Sequence, residues 1–222
     1  MSVGADSEDG GSARPDLPTR GQRTAGKLPP GQALAKAWPI RHYGRVPNCV
    51  AETWDFEVTG ATADSRSLRW SYENLLERPQ VNVSGDFHCV TGVSVLGVTW
   101  TGVSLRDLLA ECPPTSGVSH VLVWAEFGYS ANLRLSDVTS PTAILAHSRD
   151  GAQLRPDQGW PLRLVVPELY AWKGPKWLRG LEYLGTDRRG FWEERGYHNV
   201  GDPWLEQRYS HQEKPGEGPP IS

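Results

Sequence analysis

No stretch of this chain is apolar over anything near the ~18 residues that a bilayer-spanning helix needs. No membrane-spanning helix is therefore expected in this sequence. The first segment, Met1 to Gly26, is rich in Gly, Ser, Asp and Arg and has no apolar centre, so it does not read as a secretory signal. Adjacent arginines occur at Arg188 and Arg189, far too late for a twin-arginine export signal. The expected compartment is the cytosol.

Cysteine is also scarce. Cys49, Cys89 and Cys112 form an odd set with no C-x-x-C spacing, which excludes a disulfide framework in a reducing compartment. Zinc is disfavoured because His88 and Cys89 are adjacent and no second pair has ligand spacing. The chain lacks the G-x-x-x-x-G-K-[ST] phosphate loop, a G-x-G-x-x-G after a strand, the G-x-S-x-G elbow and H-E-x-x-H. An excess of positive charge is missing too. Against 26 acidic residues stand 23 Lys and Arg, a net charge of -3, which argues against nucleic acid or an anionic membrane as the main partner.

Methionine appears once but tryptophan ten times. Tryptophan offers a large area with few rotamers, which suits a rigid pocket for a planar ligand and equally suits a bulky core. With 222 residues, 38% hydrophobic and 22% charged, the chain has the makings of one well-buried domain plus a tail. Residues 1–36 are poor in apolar side chains and read as a flexible leader, 37–209 as the domain, and 210–222 as a tail.

Within the domain, Trp54 to Val58 alternates apolar and polar and stops at Gly60, a strand pattern. Ser71 is placed to cap a short helix through Leu75 and Leu76, which Pro79 ends. Val81, Val83 and Phe87 predict a strand that delivers Cys89 at its end. Ser104 to Asp107 reads as a capping box for a helix carrying Leu105, Leu108 and Leu109, closed by Pro113-Pro114. Short strands are predicted over 118–124, 131–135, 143–147 and 177–184, with a buried β-branched run at 162–167 and a turn at Asp150-Gly151. From Asp187 onward the chain is expected to wrap over the core. The fold class is α+β, a single mixed α/β domain.

Three segments carry candidate chemistry. A cysteine where a strand ends, in His88-Cys89-Val90-Thr91-Gly92, can present a soft thiolate to a metal, or it can be a small buried hydrophobe. Arg163 and the run Tyr170-Ala171-Trp172-Lys173-Gly174-Pro175-Lys176-Trp177 interleave cations with aromatics around a Gly-Pro kink. Such a turn can hold a phosphate or can be a solvated basic turn. Arg41-His42-Tyr43-Gly44-Arg45 places polar rings just before the core.

Taken in order, these segments resemble the sulfite-oxidase-like molybdopterin oxidoreductases. The resemblance rests on His42-Tyr43-Gly44-x-Val46-Pro47, Asp86-x-His88-Cys89-Val90-Thr91, Trp100-x-Gly102-Val103 and Gly128-Tyr129-Ser130-Ala131-Asn132-Leu133. It continues through Gly159-Trp160-Pro161-Leu162-Arg163, Lys173-x-x-Lys176-Trp177, Gly190-Phe191-Trp192-Glu193 and Gly196-Tyr197-His198. It implies the fold of the sulfite oxidase molybdopterin-binding domain and a molybdenum-molybdopterin cofactor, with Cys89 as metal ligand. By the same correspondence Arg163, Gly174, Pro175 and Lys176 belong at the cofactor's phosphate end with Lys173 close by as a further cofactor-binding residue, His42 and Tyr43 at the pterin, and Arg41 in the active site.

The implied reaction is oxygen-atom transfer on a small substrate such as sulfite or an S- or N-oxide. A methionine or other S-oxide reductase and a catalytically silent pterin-binding module are the alternatives. The haem-binding and dimerisation domains of animal-type sulfite oxidases have no counterpart in the sequence. No haem, a monomer and a separate electron-transfer protein are accordingly expected. The chain departs from the family at Val93, where compact relatives have Trp, at Gln158, where His is common, and at Phe127 in the turn before Gly128-Tyr129.

Overall fold

The computed structural model describes residues 27–221. In chain order it contains β1 (Ala33–Leu34), β2 (Asp55–Gly60), β3 (Leu68–Ser71), α1 (Tyr72–Leu76), β4 (Gln80–Cys89), β5 (Val93–Ser104) and α2 (Leu105–Leu109). There follow β6 (His120–Ala125), β7 (Ser130–Arg134), α3 (Leu135–Val138), β8 (Ile144–Arg149), β9 (Ala152–Gln153), β10 (Arg163–Val165) and β11 (Leu178–Leu184).

The strands form two sheets. One runs β3-β2-β11-β6-β7; the other runs β1-β5-β8-β10, with β4 also paired to β5 and β9 to β8. The larger core cluster draws on both sheets, with Phe56, Val58, Val121, Val123 and Leu181 from the first and Val103, Leu145 and Leu164 from the second. Neighbours in the same strands, Ile144, Ala146 and Val165, point the other way, into a second cluster with Val83, Val98 and Trp100. Both faces of β8 and β10 are thus covered, which is why 162–167 carries no polar alternation.

Local signals explain most elements. The Ser71 side chain accepts from Asn74 N and the Asn74 side chain accepts from Ser71 N, a complete capping box for α1. Ser104 caps α2 by accepting from Asp107 N. The longest strand, β5, was not predicted. It pairs with β1, β4 and β8, and Gly97 and Gly102 interrupt its apolar pattern. Gly102 is there for close approach: a Cβ would lie 2.0 Å from Leu145 O on the neighbouring strand.

The expected limits of the domain are corrected at both ends. Of the predicted leader, 1–26 lie outside the described residues, but β1 pairs parallel with β5, Ala33 N donating to Gly92 O at 2.9 Å and Ala35 N to Ser94 O at 2.8 Å. Strand pairing uses backbone groups alone, so low apolar content did not reveal it. The predicted tail is tied down as well. Glu213 pairs with buried Arg189 at 2.6 Å and accepts from Asn199 N, while Arg189 Nε donates to Pro219 O.

Candidate functional site

β4 and β5 are joined by Val90, Thr91 and Gly92, with Gly92 at φ +89° and its N–H donating to Cys89 O at 3.1 Å. A three-residue hairpin loop needs a left-handed third residue, and glycine adopts it without strain. The loop leaves Cys89 7% exposed, with Sγ 3.1 Å from Thr91 Oγ1, at the wall of a cavity of about 270 Å³. Arg41, His42, Tyr43, Arg163, Gly174, Pro175 and Lys176 line the same cavity. Segments some 120 residues apart in sequence therefore line one cavity with the thiol.

Lys173 does not join them. Its ammonium is 1% exposed and spends its donors on Asn132 O (2.7 Å), Asn132 Oδ1 (2.8 Å) and Glu193 Oε1 (2.7 Å). The expectation that Lys173 is a cofactor-binding residue beside the phosphate end is corrected on that ground: a fully paired buried ammonium has no donor left to offer.

The remaining cations are differently placed. Arg163 is 3% exposed, donates to Gln158 O (3.2 Å) and Gly174 O (3.3 Å), and lies over the rings of Phe87 and Trp100. Its Nε is buried without a partner, and no carboxylate pairs with it among the described residues. Burial pushes its pKa down to about 10, with the Arg149 charge adding to the effect. Lys176 Nζ donates to Asp157 O at 2.6 Å, and burial, followed by the Arg163 charge, pushes its pKa down to about 7. Two partly desolvated cations without an ion-pair partner make a site that an anion stabilises.

Rings form much of the rest of the wall, including Tyr129, Trp172, Trp177, Trp192 and Tyr197. Trp177 is held at φ +54°, a left-handed conformation that costs a bulky residue roughly 1–2 kcal/mol, and its Nε1 donates to Pro156 O at 2.6 Å. Tyr129 donates to Trp172 O at 2.6 Å, and burial holds its pKa well above the ordinary range, so it stays a neutral donor. Tyr129 and Tyr197 had no role assigned from sequence. Both stand in motifs that carried the resemblance, which was the available signal.

His42 lies edge-on to Trp177 at 5.5 Å with Nδ1 3.0 Å from Gly44 O, Tyr43 packs on Phe191, and Arg41 is exposed, its hydrogen bond going to Ile40 O. These three occupy the open side. Of the departures, Val93 pairs with Cys89 across the hairpin without lining the cavity, Gln158 is buried with Oε1 accepting from Arg155 N, and Phe127 is exposed beneath Arg45.

A thiol, one buried and one half-buried cation and aromatic walls around one cavity suit a flat, anionic, metal-bearing ligand. The sequence profile of the oxidoreductase molybdopterin binding domain matches residues 43–192. The chain belongs to this family. It is 38% identical over 193 residues to the uncharacterized oxidoreductase YuiH of Bacillus subtilis, covering 86% of this chain and 96% of that one. It is 26% identical to the sulfite oxidase of Arabidopsis thaliana, covering 82% of this chain and 57% of the other. It is also 26% identical to the protein-methionine-sulfoxide reductase catalytic subunit MsrP of Campylobacter jejuni, covering 66% and 54%. Against these two characterised relatives the chain spans little more than half their length.

The fold agrees. The sulfane dehydrogenase SoxCD of Paracoccus pantotrophus superposes with a TM-score of 0.61 at 20% identity, over 66% of this chain and 42% of that one. The domain is therefore a molybdopterin-binding oxidoreductase domain of the α+β type. Among the described residues no helix is long and apolar enough to cross a membrane.

Proposed function

We propose that the protein binds a molybdenum-molybdopterin cofactor through Cys89 and catalyses oxygen-atom transfer on a small substrate such as sulfite or an S- or N-oxide. The observation that carries this reading is the shared cavity of Cys89 Sγ and the carboxylate-free cations Arg163 and Lys176. The residues fit the group. The unpartnered Arg163 Nε asks for an acceptor such as a phosphate oxygen, and a thiolate is a soft donor suited to a high-valent metal. Among the described residues no three His, Cys, Asp or Glu side chains could hold a metal by themselves, in keeping with a metal whose other donors come with the cofactor.

When bound, such a cofactor supplies two-electron redox chemistry coupled to oxygen-atom transfer. The chain's own contribution is binding, orientation and exclusion of water. Arg163, Lys176 and the backbone at Gly174-Pro175 would hold the cofactor's anionic end, and the rings of Trp177 and Tyr129 would help exclude water from the cavity they line. Arg41, His42 and Tyr43 stand at the open side, where a small substrate enters. Electrons are exchanged with a separate carrier protein, a reading supported by the name of the Campylobacter relative, a catalytic subunit.

The test is expression in a host that makes the molybdenum cofactor, with bound metal measured by mass spectrometry in wild type and Cys89→Ala. Stoichiometric molybdenum in wild type and a large loss in the variant are expected; equally little in both overturns the proposal. Assays of sulfite oxidation and of S-oxide and N-oxide reduction with an artificial electron carrier then identify the substrate. Inertness towards all of them would replace the enzyme with a pterin-binding module.

A further inference from the structure

The loop that presents Cys89 is braced from behind by two side chains that lie outside the family-matched residues 43–192. Gln32 Nε2 donates to Cys89 O at 3.2 Å, although the two residues are 57 positions apart. Gln32 Oε1 accepts from Ser94 Oγ at 3.0 Å, and Ser94 Oγ lies 2.8 Å from His88 Nδ1. Because the serine proton points to Gln32, the imidazole must supply the proton on its side, which fixes His88 as the Nδ1–H tautomer. One amide thus ties together the carbonyl of Cys89 and the ring of the residue before it. On the other side of the loop, Arg208 donates to Val90 O and to Gly31 O, the latter at 3.2 Å.

We propose that Gln32 is a positioning residue for Cys89: its amide clamps the Cys89 carbonyl and, through Ser94, the His88 ring, and so sets where the sulfur points into the cavity. Among the described residues no other side chain donates to the Cys89 carbonyl, which also receives the Gly92 N–H within the loop. A glycine-containing loop is the place where backbone freedom would otherwise let the sulfur move, and a group that must meet a metal needs its own residue held. Gln32 is itself fixed, its N–H donating to Pro29 O at 3.2 Å and the next N–H, that of Ala33, donating to Gly92 O at 2.9 Å. Its amide is partly exposed, so its contribution is the donor it offers rather than apolar area buried.

The inference rests on Cys89 being the metal ligand, and its test separates the two claims. Gln32→Glu keeps the size of the side chain and the acceptor for Ser94 but loses the donor to Cys89 O. Gln32→Met keeps the length and loses both. In the cofactor-loaded protein, both variants are expected to shift the sulfur-to-metal charge-transfer absorption band while thermal midpoints stay close to wild type. In the metal-free full chain, on a Cys49→Ser background, iodoacetamide should label Cys89 about three- to tenfold faster in both variants, the effect of one lost hydrogen bond on loop opening. A purely structural role predicts that Gln32→Glu matches wild type in band and labelling rate, and that result overturns the proposal. If the absorption of Cys89→Ser is unchanged from wild type in position and intensity, the ligand assignment fails, while the labelling comparison still reports whether Gln32 holds the loop.

Discussion

Lys173 and Lys176 stand three residues apart on one turn, yet the fold uses them in opposite ways. Lys173 is 1% exposed beside Glu193, itself fully buried, and both belong to a network that also takes in Asn132 and the Trp172 indole N–H. Among the described residues Lys176 has no carboxylate within ion-pair distance; it lines the cavity and donates to the Asp157 carbonyl. The first is a closed ion pair that holds the turn; the second is a charge left open towards the cavity. Sequence motif and charge alone cannot tell them apart. Only the location of the counter-charge can.

The largest effect is expected from breaking the closed pair. Lys173→Met leaves the Glu193 carboxylate buried without its cation and should destabilise the fold by roughly 3–5 kcal/mol, read by denaturant unfolding. Adding Glu193→Gln should restore most of that loss, because no unpaired charge then remains. Lys176→Met should do the reverse, leaving stability unchanged or raised, since burial disfavours its charged form. Retention of the cofactor should fall about 10- to 100-fold, the worth of one charge-assisted hydrogen bond, measured as molybdenum kept through gel filtration. Equal stability losses in the two methionine variants would erase the distinction.

Lys176 also gives the site a pH dependence. Burial lowers its pKa from the ordinary 10.5 to about 7, so the fold favours the neutral amine. Between those values the unfolded chain binds the extra proton, and the stability of the metal-free protein should rise with pH across that window. Affinity for an anion should fall as pH rises through about 7, where the folded protein loses the Lys176 charge. Lys176→Met should flatten both trends, checked by thermal melts and by phosphate titrations at a series of pH values. The smallest effect is expected at Asp157, whose charge supports the protonated Lys176. Asp157→Asn should move the midpoint of the anion-binding profile down by about half a pH unit or less, the strength of an exposed charge interaction.

Much of the site was legible in sequence because its residues sit where local rules act. Alternation of Val81, Val83 and Phe87 placed Cys89 at a strand end, and Arg163 and Lys176 stood in cation–aromatic motifs. The fold class also followed from short strands and capped helices. What escaped depended on partners distant in sequence. Nothing near Lys173 announces Glu193, and the hub strand β5 hides behind Gly97 and Gly102, the latter demanded by Leu145 on a strand some 40 residues on. Gln32 escaped because a polar segment that pairs through its backbone has the composition of a leader.

The central claim is that the Cys89 thiolate joins the metal. X-ray absorption at the molybdenum edge, on purified wild type and Cys89→Ser, tests it most directly. The variant should lose one sulfur neighbour of the metal. An unchanged sulfur count in the two proteins would contradict it.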